Sequence, residues 1–439
     1  MAYTVGAISL GCNKNRVDTE TALGLLKDDG FLITNDPAGA DVLLVNTCGF
    51  IESAKEESID AILEMAEWKK KGRCKALAVT GCLSQRYGKT LQDEIPEIDL
   101  MLGVNQYEQL PSLLRKVLED RKPRFSCADD HHYPEHSRVL TTPAYSAYIR
   151  IGEGCSNRCT FCAIPMIRGP YRSRDEQAIL GEIRDLASSG VREHILVAQD
   201  TTRYGTDHQE HSLLPDLMRK AAAIDGVDWL RVLYCYPDET SDALLDVLAE
   251  LPNVCPYLDI PVQHINAELL RRMHRRGTRE DILRCVRGAR ERDLTLRTSI
   301  IVGFPGETED QFKELLDFVE ETEFDRLGAF AYSAEDDTPA AKMPDQIPEE
   351  IKQERFDRLM SLQQKISLKR NQARIGSVES VLVTEIVSRE TILGRSCREA
   401  PETDGQILVR CGDTPPAIGQ FIPVKITGAE EYDLKGTML

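Results

Sequence analysis

Short apolar runs alternate with longer amphipathic stretches along most of this 439-residue chain. Up to about residue 120, the runs Thr4–Leu10, Asp41–Asn46, Lys75–Thr80 and Asp99–Gly103 predict strands. Helical periodicity fills the gaps at Val17–Asp29, Glu52–Lys71, Ser84–Asp93 and Gln106–Glu119. Such alternation implies a parallel sheet with helices on both faces, so residues 1–120 are expected to form an α/β sandwich. Periodicity fades over 121–143, which reads as a linker. Its stretch Asp129-Asp-His-His-Tyr-Pro-Glu-His136 reads as solvated loop rather than a metal site.

A second series covers 144–372. Strands are predicted at Ala147–Ile151, His194–Ala198, Leu230–Tyr234, Tyr257–Ile260, Thr295–Val302 and Arg326–Tyr332, with helices such as Asp175–Ser188 and Ile282–Arg292 between them. Six strand–helix units suggest a partial (β/α) barrel, whose functional residues gather at the C-terminal strand ends. An amphipathic helix over Glu349–Ala373 follows. The tail, 373–439, is rich in Val, Ile, Thr and Gly and reads as a small β-barrel. The expected class is therefore α/β in three units, with no internal repeat and no low-complexity tract.

Composition narrows the setting. Hydrophobic content of 41% and charged content of 29% are ordinary for a soluble chain. No apolar run approaches the roughly 18 residues of a membrane span, and the N-terminus lacks the basic and apolar regions of a leader peptide. A cytoplasmic protein is expected. There, 13 Cys point to metal or catalysis rather than disulfides. The net charge of −18 argues against a nucleic-acid partner, because phosphate binding is driven by Lys and Arg.

The densest chemistry lies in Ile151-Gly-Glu-Gly-Cys-Ser-Asn-Arg-Cys-Thr-Phe-Cys162. Cys155, Cys159 and Cys162 can hold three irons of a [4Fe–4S] cube. With no fourth Cys nearby, one iron stays open, whereas electron-transfer clusters normally have four protein ligands. An open position binds something, as in catalytic zinc sites. A zinc knuckle would need a fourth Cys or His at short range. The spacing, with Phe161 before the last Cys, resembles the signature of radical S-adenosylmethionine (SAM) enzymes. In that family the open iron binds SAM, which is cleaved to a 5′-deoxyadenosyl radical.

Three more cysteines each follow a predicted N-terminal strand: Cys12 in Ser-Leu-Gly-Cys, Cys48 in Val-Asn-Thr-Cys and Cys82 in Val-Thr-Gly-Cys. That edge is where open α/β sheets bind ligands, so the three thiols are candidates for a second cluster. Buried Cys is also a common small hydrophobe, which suffices for Cys74, Cys235 and Cys285. Together, Ser9-Leu-Gly-Cys-Asn-Lys-Asn-Arg-Val-Asp-Thr-Glu20, Asn46-Thr-Cys48, Thr80-Gly-Cys82 and the barrel triplet resemble the methylthiotransferase family of radical SAM enzymes over essentially the whole chain. Thr19 stands where Ser is usual.

The resemblance implies an N-terminal cluster domain, a radical-SAM barrel and a C-terminal TRAM barrel. It implies two [4Fe–4S] clusters, one on Cys155, Cys159 and Cys162 that cleaves SAM, and one on Cys12, Cys48 and Cys82 that carries sulfur. It also implies an external sulfur donor and a low-potential electron donor. Within the family, Gly-Cys-Asn-Lys-Asn-x-Val-Asp and Cys162-Ala-Ile-Pro-Met-Ile-Arg-Gly-Pro-Tyr-Arg-Ser-Arg174 are similar to the branch acting on an aspartate of small-subunit ribosomal protein S twelve. The other branch acts on a tRNA adenosine. A third reading, from another class, is a non-enzymatic iron–sulfur carrier.

Val302-Gly-Phe-Pro-Gly-Glu307 resembles the family's segment beside the SAM adenosine, so Gly303, Gly306 and Glu307 are candidate SAM contacts. Gln199-Asp200 and Gln263-His264 also end barrel strands; Gln199 and Gln263 are expected to line the cavity. Arg168, Arg172 and Arg174 could pair with a SAM or substrate carboxylate. From 371 to 439 there are seven Lys or Arg against ten Asp or Glu, 7 − 10 = −3. An RNA-gripping barrel would carry basic charge and stacking aromatics. This tail has only Phe421 and Tyr432, and suits a basic protein partner better than tRNA.

Overall fold

The computed structural model describes residues 2–128, 135–412 and 414–439. Six parallel strands make the N-terminal sheet, in the order Leu32–Ile33, Thr4–Ser9, Val42–Thr47, Ala76–Gly81, Leu100–Leu102, Arg124–Ser126. Alternate strand residues feed opposite faces, as the two-residue strand period requires. Val42, Leu44, Ala76 and Ala78 pack under Leu23 and Leu26 of helix Asn13–Asp28 and Leu110 and Leu114 of helix Leu110–Asp120. Leu43, Val45, Leu77 and Val79 pack under Ile62 and Met65 of helix Glu52–Lys71 and Leu83 and Leu91 of helix Cys82–Glu94. The sandwich is therefore α/β/α.

Two of these strands are too short to show a two-residue period. Leu32–Ile33 is only two residues long, and Arg124–Ser126 lies within the stretch read as linker. Both run along sheet edges, where ladder hydrogen bonds form without burying an apolar face. The rest of that stretch also departs from a solvated loop. Val139 N–H donates to Glu20 O at 3.0 Å, and Arg138 pairs with the Glu20 carboxylate at 2.9 Å. Of the six His and acidic positions in that stretch, 129–132 lie outside the described residues; Glu135 pairs with Arg174 at 2.6 Å and His136 meets Glu108 at 3.1 Å.

The six expected barrel strands form in chain order: Ser146–Arg150, Glu193–Val197, Trp229–Val232, Tyr257–Asp259, Thr295–Val302 and Arg326–Ala331. Two three-stranded sheets are stitched together where Leu230 N–H donates to Asn253 O and Cys255 N–H to Leu230 O, both at 2.8 Å. Outer helices start at side-chain caps. Thr278 with Asp281 and Thr308 with Gln311 each form a reciprocal capping box.

Helix Glu349–Gln372 leads to a closed five-stranded barrel built from Val378–Ile386, Thr391–Arg395, Ile407–Arg410, Phe421–Ala429 and Leu434–Met438. This barrel meets the N-terminal ends of the central strands. Arg395 pairs with buried Glu193, the Tyr257 hydroxyl donates to Asp404 at 2.7 Å, and the Trp229 and Phe421 rings meet edge to face at 4.7 Å. The opposite, C-terminal strand ends face the N-terminal sandwich.

Candidate active site between two cysteine sets

The loop from strand Ser146–Arg150 to the short helix Ile164–Arg168 carries Cys155, Cys159 and Cys162. Its turn uses Arg158 at φ 53° and a 3.0 Å bond from Cys162 N–H to Cys159 O. Thr160 moors it: its N–H donates to Met273 O at 3.0 Å and its hydroxyl to Arg272 O at 2.9 Å. Burial pushes the Cys155 thiol up to about 11, and Cys162 rises too, although backbone N–H groups of Asn157 and Ile164 reach their sulfurs and pull the other way. Each sulfur feels its neighbours' charge. Arg275 donates to Cys159 Sγ at 3.6 Å and lies 4.4 Å from the Tyr236 ring centre. Donors of this kind suit three thiolates sharing one cluster, since a coordinating thiol is deprotonated outright.

The second set is assembled from three distant places. Cys12 caps helix Asn13–Asp28, Cys48 follows strand Val42–Thr47, and Cys82 opens helix Cys82–Glu94. Helix N-termini present unpaired N–H groups to anions. The backbone N–H dipoles of Lys14 and Asn15 favour the Cys12 thiolate, and that of Phe50 favours the Cys48 thiolate. Gly11, at φ +81°, brings two strand ends together: a Cβ there would sit 2.7 Å from Cys48 Cβ and 2.9 Å from its Sγ. Burial lifts Cys82 to about 12 and also raises Cys48. Cys12 is also desolvated, yet it falls below its ordinary value because Lys14, Arg168 and two backbone N–H groups outweigh that effect. Cys12 and Cys48 act electrostatically on Cys82, and the turn before Cys12 lies against Cys48 at Gly11. Among the described residues, no three His, Cys, Asp or Glu side chains already stand at metal-holding geometry. The thiols converge without closing.

Around this set, the motif residues are buried supports. The Asn15 amide donates to Leu10 O at 2.6 Å and Thr47 O at 3.1 Å, tying two cysteine-bearing strand ends together. The Asn46 amide donates to Asn15 O at 2.7 Å and to the Thr19 hydroxyl at 2.8 Å; that hydroxyl donates to Ser9 Oγ at 2.8 Å. Thr19 thus does through its hydroxyl what Ser could do.

The two sets face each other across a buried ionic bridge that motif spacing does not reveal. Arg168 pairs with Asp18 of the sandwich at 2.8 Å and with Glu153 of the barrel at 3.1 Å, and donates to Cys82 Sγ at 3.4 Å. Arg150 joins the same two carboxylates at 2.5 and 2.6 Å. Glu153 is held in its ionised range, Arg168 and Arg150 overriding the penalty of burial. On the other flank, buried Glu335 takes Arg86 at 3.1 Å and Lys55 at 3.3 Å. Nearby, Lys14 Nζ stands 3.3 Å from the Tyr234 ring centre. Three of these bridging residues had a sequence signal: Asp18 and Glu153 sit inside the two cysteine motifs, and Arg168 lies in the stretch that follows Cys162.

The candidate SAM contacts divide. Gln199 donates to Glu153 at 3.1 Å, while its buried Oε1 has no partner among the described residues, which suits a donor on a ligand. The backbone of Gln263, at φ 71°, pairs with Ser299 O at 2.8 Å and Ile301 N–H at 2.9 Å, which places it at the cavity end of its strand. Gly303 and Gly306 adopt φ +71° and +76°, but the atoms a Cβ would strike are Lys352 and Arg272 side chains. Glu307 is buried, and its carboxylate takes Arg355 at 2.8 Å, His264 Nε2 at 3.2 Å and the Gly303 N–H. His264 Nδ1 accepts from Asn266 N–H at 3.0 Å. Glu307 and His264 therefore buckle the glycine loop from behind. Asp200 accepts from Asn157 at 2.8 Å and Thr202 at 2.6 Å, bracing the cysteine loop. Arg174 binds Glu182 and Glu135, both at 2.6 Å, and Arg172 contacts Pro170 O at 3.2 Å. Arg168 and Arg174 thus pair with carboxylates of the protein itself.

Three family models match the chain: Radical SAM superfamily over 149–319, uncharacterized protein family UPF0004 over 4–103 and TRAM domain over 375–439. The ribosomal protein uS12 methylthiotransferase RimO of Desulforamulus reducens is 51% identical over 99% of both chains. The RimO proteins of Clostridium novyi and Clostridioides difficile are 48% and 47% identical, each over at least 98% of both chains. In fold, the chain is similar to the radical SAM methyltransferase TsrM from Kitasatospora setae, with a TM-score of 0.60 at 15% identity, covering 87% of this chain and 81% of that one. Among the described residues no helix is long and apolar enough to cross a membrane. With a three-cysteine loop at the barrel mouth and relatives of this identity along its whole length, the chain belongs to the RimO family of radical SAM methylthiotransferases.

Proposed function

We propose that the chain adds a methylthio group to the β-carbon of an aspartate in small-subunit ribosomal protein uS12, with its two cysteine sets each holding a [4Fe–4S] cluster. The observation that carries this reading is the buried Arg168 bridge, which ties Cys82 and Asp18 of the sandwich to Glu153, two residues before the barrel triplet. When bound, the clusters supply the electron that cleaves SAM and the sulfur that is methylated and transferred; an aspartate β-carbon is neither acidic nor electrophilic enough for ordinary catalysis. An external sulfur donor and a low-potential reductant complete the reaction.

The chain's own residues supply position. Asn157, Ile164 and Arg275 aim N–H groups at the barrel sulfurs, and Lys14, Asn15 and Phe50 do so for the other set. Gln199, oriented by Glu153, offers an acceptor to SAM. Gly303 and Gly306, buckled by Glu307, give the loop beside it its shape, and Gln263 closes the neighbouring strand end. The sandwich roofs the barrel mouth and keeps water from a radical. The units fall at 1–120 together with the edge strand Arg124–Ser126, 144–372 and 373–439, the rest of 121–143 joining the first two. The last of them, with its net −3, suits a basic protein.

Intact mass spectrometry of uS12 from cells with and without this chain tests the assignment. The protein from complemented cells is expected to be heavier by one methylthio group in place of hydrogen. Equal masses, with the methylthio group lost from tRNA digests instead, would move the substrate to tRNA.

A further inference from the structure

We propose that Arg168 is a positioning residue that tunes the sulfur-carrying site: it hydrogen-bonds the Cys82 sulfur and sets the separation of the two cysteine sets. The inference rests on the reading that Cys12, Cys48 and Cys82 hold a cluster, and adds a role for a residue that ligates neither.

Four observations meet at this side chain. Arg168 is 1% exposed. It ends the five-residue helix Ile164–Arg168, which begins two residues after Cys162, so a stiff element of about 1.5 Å rise per residue links the two sets. The same segment packs Ala163 and Ile167 against Cys82 and Val104 of the sandwich. Finally, one guanidinium serves four partners: Nη1 goes to Glu153 of the barrel, while Nη2 goes to Asp18 at 2.8 Å, Asn15 Oδ1 at 3.3 Å and Cys82 Sγ at 3.4 Å.

Asp18 and Glu153 balance the charges of Arg150 and Arg168. The pairing therefore orients the guanidinium without spending its whole positive field. What remains faces sulfur. Hydrogen bonds to cluster sulfurs and nearby positive charge stabilise the more negative, reduced cluster and raise its potential. Lys would keep the charge, but its single ammonium cannot span two carboxylates and a sulfur with a planar fork.

Two variants test this after anaerobic reconstitution. Arg168→Gln is combined with Asp18→Asn, so that one buried positive and one buried negative charge leave together; Arg168→Lys keeps the charge. Iron and sulfide content reports loading. The midpoint potential of the N-terminal cluster is read in a background where Cys155, Cys159 and Cys162 are Ala. Electron paramagnetic resonance of the fully loaded, reduced protein reads magnetic coupling between clusters.

With full iron, the charge-balanced double variant is expected to show a more negative N-terminal potential and altered coupling. Arg168→Lys is expected to recover the potential in part and the coupling little. An unchanged potential and coupling in the double variant would overturn the role. So would loss of N-terminal iron from both variants, because that is a residue needed to build the site rather than tune it. Failure of the underlying reading looks different: Cys12, Cys48 and Cys82 changed together to Ala would leave the parent's iron content unaltered.

Discussion

The two cysteine sets, for which the same cluster-holding work is proposed, are built in opposite ways. Cys155, Cys159 and Cys162 lie within eight consecutive residues, on one loop whose turn is closed by its own Cys162–Cys159 backbone bond. Cys12, Cys48 and Cys82 are brought together only when three parallel strands register and their ends are trimmed by Gly11, Asn15 and Asn46. A contiguous set needs little from the fold beyond mooring. A dispersed set is a property of the sheet, so its integrity and its neighbours' stability are one quantity.

The largest break in that comparison is Cys155, Cys159 and Cys162 changed together to Ala. Formation of 5′-deoxyadenosine under reductant is expected to vanish, and iron to fall by about half, since each cube carries the same complement; the N-terminal sandwich should keep its cluster. Changing Cys82 alone to Ala separates the functions the other way. SAM cleavage by the barrel should persist while methylthio transfer to uS12 is lost, with both products followed by mass spectrometry.

Subtler changes address the scaffold. Asn46→Ala removes an amide that bonds Asn15, Thr19 and Thr80. Leaving those buried groups unpaired is expected to cost about 1–3 kcal/mol in chemical denaturation, with lowered iron loading of the dispersed set only. Gly11→Ala forces a side chain into φ +81° against Cys48. The backbone part of that cost is roughly 1–2 kcal/mol, again read as a shifted unfolding midpoint. Equal iron loss from both sets in either variant would mean that the barrel loop leans on the sandwich more than its moorings at Thr160 indicate.

Much of this was legible in the chain. The barrel triplet was visible because its ligands are neighbours in sequence. The dispersed set was visible because each Cys follows an apolar run that ends in a strand, and parallel strands place those ends on one edge. The sandwich and the six-stranded partial barrel followed from the alternation of strand and helix periods, and the small barrel from a tail rich in Val, Ile, Thr and Gly. Strand Arg124–Ser126 was not legible, because edge pairing needs no apolar face.

Side-chain roles at the cavity were decided by tertiary structure. Glu307 was a candidate SAM contact because its segment resembles the family's, and Arg168 a candidate carboxylate partner because it follows the cysteine loop. In the fold, Glu307 meets Arg355 from helix Glu349–Gln372, and Arg168 meets Asp18 from the sandwich. The sequence by itself determined which atoms could hold iron and on which edge they sit, since ligand chemistry and strand period are local. Only the packing of sandwich on barrel decided how the two sets face each other, because a buried charge takes its meaning from a partner about 150 positions away, and no local pattern encodes that pairing.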